Sequence, residues 1–169
     1  DRVYDILDSQ PQIVDPPRPK RLTNPRPELH FDRISFQYST GQQVLHEVDL
    51  RIPFGETVAI VGPNGCGKTT LLNLLPRFYD PVDGAVRLDG IDVRDLRLKD
   101  LRRQTGLVAQ QGTLFDDTVL NNIRYGSPQA SESEVAAAAE KAYAHRFITD
   151  RLEKGYQTIV GERGGRLSG

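Results

Sequence analysis

The stretch that most constrains the fold is a glycine-rich run, Gly-Pro-Asn-Gly-Cys-Gly-Lys-Thr-Thr, which spans Gly62–Thr70. An apolar run typical of a buried strand, Thr57–Val61, precedes it, and leucines at helical spacing follow it. Glycine tolerates backbone conformations that other residues avoid, so Gly62, Gly65 and Gly67 allow successive N–H groups to point inward, beside the positive end of the following helix. The sequence therefore predicts strand, loop and helix in that order, with the loop shaped to hold a chain of phosphates.

Lys68 and Thr69 complete the spacing G-x-x-x-x-G-K-[ST]. In this motif the lysine reaches the β- and γ-phosphates as a point charge, and the hydroxyl is a ligand of the Mg²⁺ that bridges them. The alternative, a glycine turn before an ordinary helix, leaves the lysine at the crowded start of that helix unexplained. The residues predicted to contact the polyphosphate are Gly62, Pro63, Asn64, Gly65, Cys66, Gly67, Lys68, Thr69 and Thr70.

Composition excludes several classes of protein. The net charge of −1 argues against a nucleic acid as the main partner, and no apolar run approaches the roughly 20 residues needed to cross a bilayer. The single cysteine, Cys66, excludes an internal disulfide framework and is typical of a reducing compartment. The sequence begins with Asp1 and contains no Met, which predicts that the natural start lies further upstream.

The chain changes character several times before the loop. Residues 1–10 read as the end of an amphipathic helix arriving from upstream, and residues 11–28 as an extended linker rich in proline and basic residues. A disordered tail is the alternative for this linker. Leu29–Tyr38 and Val44–Ile52 have the patterns of two strands that a short turn joins into an antiparallel hairpin.

The pattern after the loop is mixed, then helical. Ala85–Leu88 reads as a short strand, Asp95 as the cap of a helix to about Arg103, and Gly106–Ala109 as a buried strand. Further helices are predicted over 118–124, capped by Asp117, over 132–144, with a capping box that begins at Ser131, and over 145–152. Residues 29–110 therefore form an α/β core with an antiparallel β subdomain, and residues 111–169 a helical subdomain.

With these elements in place, the chain resembles the nucleotide-binding domain of the ATP-binding-cassette (ABC) family over nearly its whole length. Tyr38, Gln110, Gly161–Gly164 and Leu167–Gly169 carry the resemblance together with the loop, and Leu167–Gly169 matches the opening of the family's signature motif. The resemblance implies an α/β fold of the P-loop NTPase (ABC ATPase) class, with antiparallel β and helical subdomains and its C-terminal part missing. The chain is thus identified as a partial domain spanning residues 29–169.

The resemblance also implies roles for single residues. Tyr38 matches the aromatic residue that stacks on adenine, although a core tyrosine at the sheet edge is an alternative. Gln110 matches the glutamine that contacts Mg²⁺ and water, with a solvated loop amide as the alternative. Gln111 departs from the acidic residue common at its position, which puts the strength of subunit coupling in doubt. The signature residues that would act on ATP bound to a facing domain are Leu167, Ser168 and Gly169.

Two segments relate the resemblance to ABC exporters, which carry membrane-spanning domains. One resembles the loop that senses the membrane domain, or else is a charged surface turn, and consists of Gly161, Glu162, Arg163 and Gly164. The other, residues 1–17, resembles the exporter connection to the last membrane helix. The resemblance implies as partners ATP with Mg²⁺, the membrane domain of the same transporter and a second nucleotide-binding domain arranged head to tail. It places the domain at the cytoplasmic face of a membrane.

The enzyme activity implied is ATP hydrolysis coupled to transport. In this family an Asp at the end of a further strand, a catalytic Glu and a His follow the signature motif, so the chain is expected to bind ATP without hydrolysing it alone. The missing strand is also expected to leave an apolar face of the core uncovered. Two alternatives stay open: a soluble P-loop ATPase or kinase, and a nucleotide-binding or regulatory module without turnover.

Overall fold

The computed structural model describes residues 11–24, 26–39, 41–109 and 112–161. These residues belong to two units, Asp1–Leu107 and Val108–Gly169. The helix predicted at the start of the chain lies outside the described residues. No helix within the described ranges has both the length and the apolar character that a membrane span requires.

A four-stranded antiparallel sheet organises the first unit. Its strands are β1 (Leu29–Gln37), β2 (Gln43–Ile52), β3 (Asp83–Leu88) and β4 (Ile91–Asp92), in the order β2-β1-β3-β4. β1 and β2 pair in antiparallel register, which confirms the predicted hairpin, and β3 confirms the short strand predicted after the loop. The central position of β1 follows from its apolar residues, most of which are buried.

A bulge in β1 explains an irregularity in its sequence. The large side chains alternate up to Phe31 and resume at Ile34, so the spacing between these two is three instead of two. The register with both neighbouring strands shifts at this point, and Arg33 takes a left-handed conformation with φ of 48°. Gly84 lies against the bulge so closely that a Cβ atom there would stand 2.3 Å from the carbonyl oxygen of Arg33. Glycine at position 84 is therefore required by close approach of two backbones.

Two helices and a 3₁₀ turn cover the sheet of the first unit. Helix α1 (Lys68–Leu74) follows the glycine-rich loop, a 3₁₀ turn spans Val93–Asp95, and helix α2 spans Leu98–Arg103. Their apolar residues join those of the strands in one core, because each element buries only one face. The buried members of this core are Phe31, Ile34, Phe36, Leu45, Leu71, Leu74, Val86, Leu88, Val93, Leu96 and Leu101.

The start of α2 differs from its sequence prediction. Asp95 does not cap the helix, because its carboxylate pairs instead with the ammonium group of Lys20 at 2.8 Å. The helix begins at Leu98, whose N–H donates a hydrogen bond of 2.7 Å to the carboxylate of Asp15. A residue distant in sequence thus satisfies a free N–H in the first turn of this helix, which no local pattern indicates.

The proline-rich segment follows an extended path along the first unit. Lys20 bonds to Asp95 twice at 2.8 Å, once through its backbone N–H and once through its side chain. The carbonyl oxygen of Val14 accepts a hydrogen bond of 3.2 Å from the buried guanidinium group of Arg77, and Leu22 packs against the core. These contacts, with that of Asp15, hold the segment against the residues that follow α1 and against the start of α2.

The two strands predicted at Thr57–Val61 and Gly106–Ala109 are wrong. Neither run forms a strand, and within the described residues no strand lies beside either one. An extended segment needs such a neighbour to satisfy its backbone groups. Side chains predicted to be buried are exposed instead, including 87% of Val61 and 98% of Val108.

Three short α-helices and a 3₁₀ turn, Gly155–Gln157, are the helical elements in the described part of the second unit. The α-helices are α3 (Val119–Arg124), α4 (Glu132–Lys141) and α5 (His145–Arg151), and an isolated antiparallel bridge joins Thr118 to Ile159. The three helices confirm the helical pattern predicted for this region. A small buried cluster holds them together and consists of Val119, Ala139, Ile148 and Val160.

The helix ends of this unit refine their predictions. Thr118, and not Asp117, caps α3, because its hydroxyl accepts the hydrogen bond from the N–H of Asn121. Asp117 instead accepts bonds from the N–H of Thr118 and the amide of Asn121. The capping box between Ser131 and Glu134 is confirmed, with both of its reciprocal hydrogen bonds present.

Helix α4 ends three residues earlier than predicted. Tyr143 takes a left-handed conformation with φ of 57°, and the N–H of Ala144 bonds back to the carbonyl of Ala139 at 2.8 Å. This is the hydrogen-bond pattern that ends many helices, usually with glycine at the left-handed position. The alanine-rich composition gave no sign of the stop because tyrosine is not a residue typical of that position.

Candidate nucleotide-binding site

Glycines shape the loop between Val61 and α1. Gly65 and Gly67 have φ of 79° and 92°, in the left-handed region that favours glycine. A Cβ atom on Gly67 would stand 2.8 Å from Leu45 Cδ2, and one on Gly62 would stand 2.8 Å from Cys66 Sγ. The loop can therefore take this shape only because glycines, which have no side chain, occupy its turns and its contact with β2.

The ammonium group of Lys68 lies over the loop. Its Nζ donates to the carbonyl oxygens of Gly62 at 2.8 Å and Pro63 at 2.7 Å, and the sulfur of Cys66 lies 3.6 Å away. These bonds hold a positive charge against the loop before any anion is present. An ammonium group has three N–H donors, and the third one meets the sulfur of Cys66, a weak acceptor that a phosphate oxygen would displace.

The two threonines of the loop have different surroundings. Thr69 is exposed, and its hydroxyl is the kind of hard oxygen ligand that Mg²⁺ prefers, so this position fits a magnesium ligand. Thr70 is buried, with 6% of its surface exposed. Among the described residues no side chain caps the start of α1. Its first N–H groups are therefore open to an anion.

Tyr38 lies directly beside the loop. Its hydroxyl is 2.9 Å from the hydroxyl of Thr70, and its ring makes edge contacts with Phe36 and Tyr79 at centroid distances of 4.9 and 5.5 Å. The structure thus places Tyr38 beside the glycine-rich loop, although Tyr38 and Gly62 are 24 residues apart in the sequence. The hairpin makes this possible because it returns the chain to the end of β1.

Tyr38 also lines a cavity of about 870 Å³. Its walls include the rings of Phe36, Phe78 and Tyr79 and the guanidinium group of Arg102, which lies 5.6 Å from the centre of the Phe78 ring. The loop itself is not part of the lining that the described residues provide. A planar apolar group thus has room beside Tyr38.

Several predicted site residues lie outside the described residues. These are Gln110, Glu162, Arg163, Gly164, Leu167, Ser168 and Gly169. Gly161 is the last described residue, and it is buried with φ of 76°. The roles of all these residues stay predictions.

A second polar cluster was missed by sequence reasoning. The hairpin register places His30 Nε2 3.3 Å from the carboxylate of Asp49, and one ligand atom from each of His30, Asp32 and Asp49 lies within 4.8 Å of the others. A hydrogen bond from Arg87 already engages Asp32 at 3.0 Å and lowers the pKa of that carboxyl group. The cluster on the sheet thus combines a histidine–carboxylate hydrogen bond with an arginine–carboxylate ion pair. The signal that could have found it is the pairing of β1 with β2, which brings residues 30 and 49 to neighbouring positions.

The comparisons with known proteins agree with this geometry. A family model described as ABC transporter matches residues 45–169. The ATP-dependent lipid A-core flippase of Syntrophus aciditrophicus is 49% identical over 99% of this chain, which corresponds to 28% of the flippase. A multidrug efflux ATP-binding/permease protein of Mycobacterium bovis is 45% identical over 99% of this chain and 14% of its own length. The chain thus spans less than a third of these relatives.

A solved structure gives the same result for the fold. A bacterial Atm1-family ABC exporter with ATP bound aligns with a TM-score of 0.89 and 42% identity, over 99% of this chain and 30% of the exporter chain. These matches do not favour the alternative of a P-loop ATPase or kinase outside the ABC class. The glycine-rich loop, the antiparallel sheet and the helical unit are therefore those of an ABC ATPase domain, and the chain belongs to the ABC transporter family.

Proposed function

We propose that the chain binds MgATP at the Gly62–Thr70 loop. The observation that carries this proposal is the placement of Lys68, whose ammonium group is held by the carbonyls of Gly62 and Pro63 and by the sulfur of Cys66. A phosphate oxygen would displace only the weak sulfur contact, so the two carbonyl bonds can remain on binding. Membership of the ABC transporter family supports ATP as the ligand.

The remaining contacts with MgATP are assigned by chemistry and by family resemblance. The exposed hydroxyl of Thr69 would be a ligand of Mg²⁺, and Gln110 would contribute an amide oxygen to the ion and to water. Tyr38 would stack on adenine. Base stacking on an aromatic ring contributes roughly 1–3 kcal/mol in comparable systems.

In the intact transporter, we propose that this domain couples ATP binding and hydrolysis to export. The relatives with fused permease regions support this role, and their names refer to lipid A-core and multidrug transport. Gly161–Gly164 would contact the membrane domain at the cytoplasmic face of the membrane. Leu167–Gly169 of one domain would reach the γ-phosphate held by the loop of a second domain, in a head-to-tail dimer.

Substitution of Lys68 tests nucleotide binding. Charge-assisted hydrogen bonds contribute roughly 1.5–3 kcal/mol, so Lys68→Ala is expected to weaken MgATP binding about ten- to a hundred-fold. Titration with a fluorescent ATP analogue measures this affinity. Lys99→Ala, which removes an exposed lysine of α2, is the matched control and should leave affinity unchanged. Equal affinities of the two variants would remove the loop assignment.

Hydrolysis by the 169-residue chain is a separate proposal. We assign no residue of Asp1–Gly169 to the catalytic glutamate of the family, so the chain is expected to bind MgATP weakly and as a monomer, with phosphate release at the background rate. In the intact domain, phosphate release should become measurable. Its rate should rise faster than linearly with protein concentration, because each active site needs two copies of the domain. Release by the 169-residue chain at the rate of the intact domain would place the catalytic group within it.

A further inference from the structure

Two hydroxyl groups form a direct link between β1 and the glycine-rich loop. Tyr38 Oη and Thr70 Oγ1 are 2.9 Å apart, and either atom can be the donor. Within the described residues, the structure gives neither hydroxyl a second hydrogen-bond partner. Thr70 is buried, with only 6% of its surface exposed.

The tyrosine ring is held in place apart from its hydroxyl. Phe36 and Tyr79 contact it with their ring planes at 90° and 88° to its own, an arrangement favoured by the charge distribution of aromatic rings. Phe36 is buried and belongs to the core. The hydroxyl of Tyr38 is therefore a donor or acceptor with a fixed position, aimed at the loop.

Which of the two hydroxyls donates this hydrogen bond depends on what else the Thr70 hydroxyl contacts. A threonine hydroxyl has one proton, and it can give that proton to an anion only if Tyr38 acts as the donor between them. A phosphate oxygen accepts but cannot donate, so bound phosphate would select this direction. Chains of hydrogen bonds polarise one another, which strengthens each bond in the chain.

We propose that Tyr38 and Thr70 form a hydroxyl relay in which the phenol of Tyr38 strengthens the grip of Thr70 on the phosphates of the nucleotide. Tyr38 is then a positioning residue for the phosphate end of the site, in addition to its proposed contact with the base. This inference rests on the proposed binding of MgATP at Gly62–Thr70. It requires the phenol hydroxyl, whereas stacking on a base requires only the ring.

A ligand without a base separates the two roles. Tripolyphosphate with Mg²⁺ has no group that can stack, so it senses Tyr38 only through Thr70. Tyr38→Phe keeps the ring and removes the hydroxyl, and it is expected to weaken binding of this ligand roughly two- to tenfold by isothermal titration calorimetry. Tyr125→Phe removes an exposed phenol hydroxyl outside the proposed site and is the matched control, with unchanged affinity.

Substitutions of Thr70 test the other partner independently. Thr70→Val should weaken tripolyphosphate binding at least as much as Tyr38→Phe, and Thr70→Ser, which keeps a hydroxyl, should restore most of the affinity. Adding Tyr38→Phe to Thr70→Val should cause no further loss, because the relay is already broken. Thermal melting of each variant checks that these comparisons are made between folded proteins.

The outcomes distinguish this inference from the function it rests on. A wild-type chain that binds neither MgATP nor Mg-tripolyphosphate would overturn both. If wild type binds both ligands but Tyr38→Phe leaves tripolyphosphate affinity unchanged, the relay is wrong and the loop assignment stands. Additive losses in the double variant would likewise overturn the relay, because they would show that the two hydroxyls act separately.

Discussion

At the scale of single residues, Tyr143 has a strained backbone conformation at the end of α4. Its φ of 57° lies in the left-handed region, which costs roughly 1 kcal/mol for a residue with a Cβ atom. Its side chain is 94% exposed, so it regains little of this cost by burial. The conformation persists because it lets the N–H of Ala144 satisfy a carbonyl at the end of α4.

Tyr143→Gly is therefore expected to stabilise the chain by about 1 kcal/mol. For a protein of this size that corresponds to a rise in Tm of roughly 2–4 °C, measurable by circular dichroism. Ala142→Gly is the control, because residue 142 has φ of −86° and gains nothing from glycine. A lower Tm in Tyr143→Gly would mean that the exposed ring makes a stabilising contact.

At the scale of elements, side-chain caps fix the starts of α3 and α4 in the second unit. Glu134 is the second residue of the capping box of α4. Its carboxylate accepts hydrogen bonds from the backbone N–H and the hydroxyl of Ser131, and these bonds lower the pKa of the Glu134 carboxyl group. A carboxyl group whose pKa is lower in the folded state stabilises that state above its unfolded pKa. The contribution is lost as the pH falls through the folded pKa.

In Glu134→Gln, the free energy of unfolding should accordingly depend less on pH than in the wild type. The free energy of unfolding of the wild type should fall more steeply than that of the variant between roughly pH 5 and pH 3. Urea unfolding followed by circular dichroism at several pH values measures both. Glu132→Gln changes an exposed carboxylate in the same turn and should keep the wild-type slope. Parallel curves for wild type and Glu134→Gln would contradict a charged cap.

Elements whose determinants are local in sequence could be predicted, and those with distant partners could not. Ser131 and Glu134 are three residues apart, and the loop glycines precede Lys68 directly, so propensity and motif spacing sufficed for the start of α4 and for the loop. The start of α2 depends on Asp15, which is 83 positions from Leu98. The link from Tyr38 to Thr70 depends on a hairpin register that alternation alone does not give.

At the scale of the whole molecule, the run Thr57–Val61 is a site where chains would associate non-specifically at protein concentrations above those of the binding measurements. It is apolar and rich in β-branched residues, its backbone lies beside no strand of the described residues, and Val61 is 87% exposed. Unpaired segments of this kind are templates for pairing with another chain.

A charge in this run should suppress association. Val61→Lys is expected to reduce the concentration-dependent light scattering of the purified chain, because a buried pairing would then have to accommodate an ammonium group. Val82→Lys, at a valine that is 57% exposed beside β3, is the control and should scatter like wild type. If both variants scatter equally, the association begins elsewhere.

The proline-rich segment has a consequence for how force would pass through the molecule. Its anchors occur in chain order, first Val14 on Arg77, then Asp15 on α2, then Lys20 on Asp95. A force applied to the chain before Pro11 would act on these contacts one after another. Each contact would therefore break at low force. The first anchor to feel the load is the guanidinium group of Arg77, three residues beyond the end of the helix that carries Lys68. Traction on this segment therefore acts first on the residues that follow α1, before it reaches the start of α2.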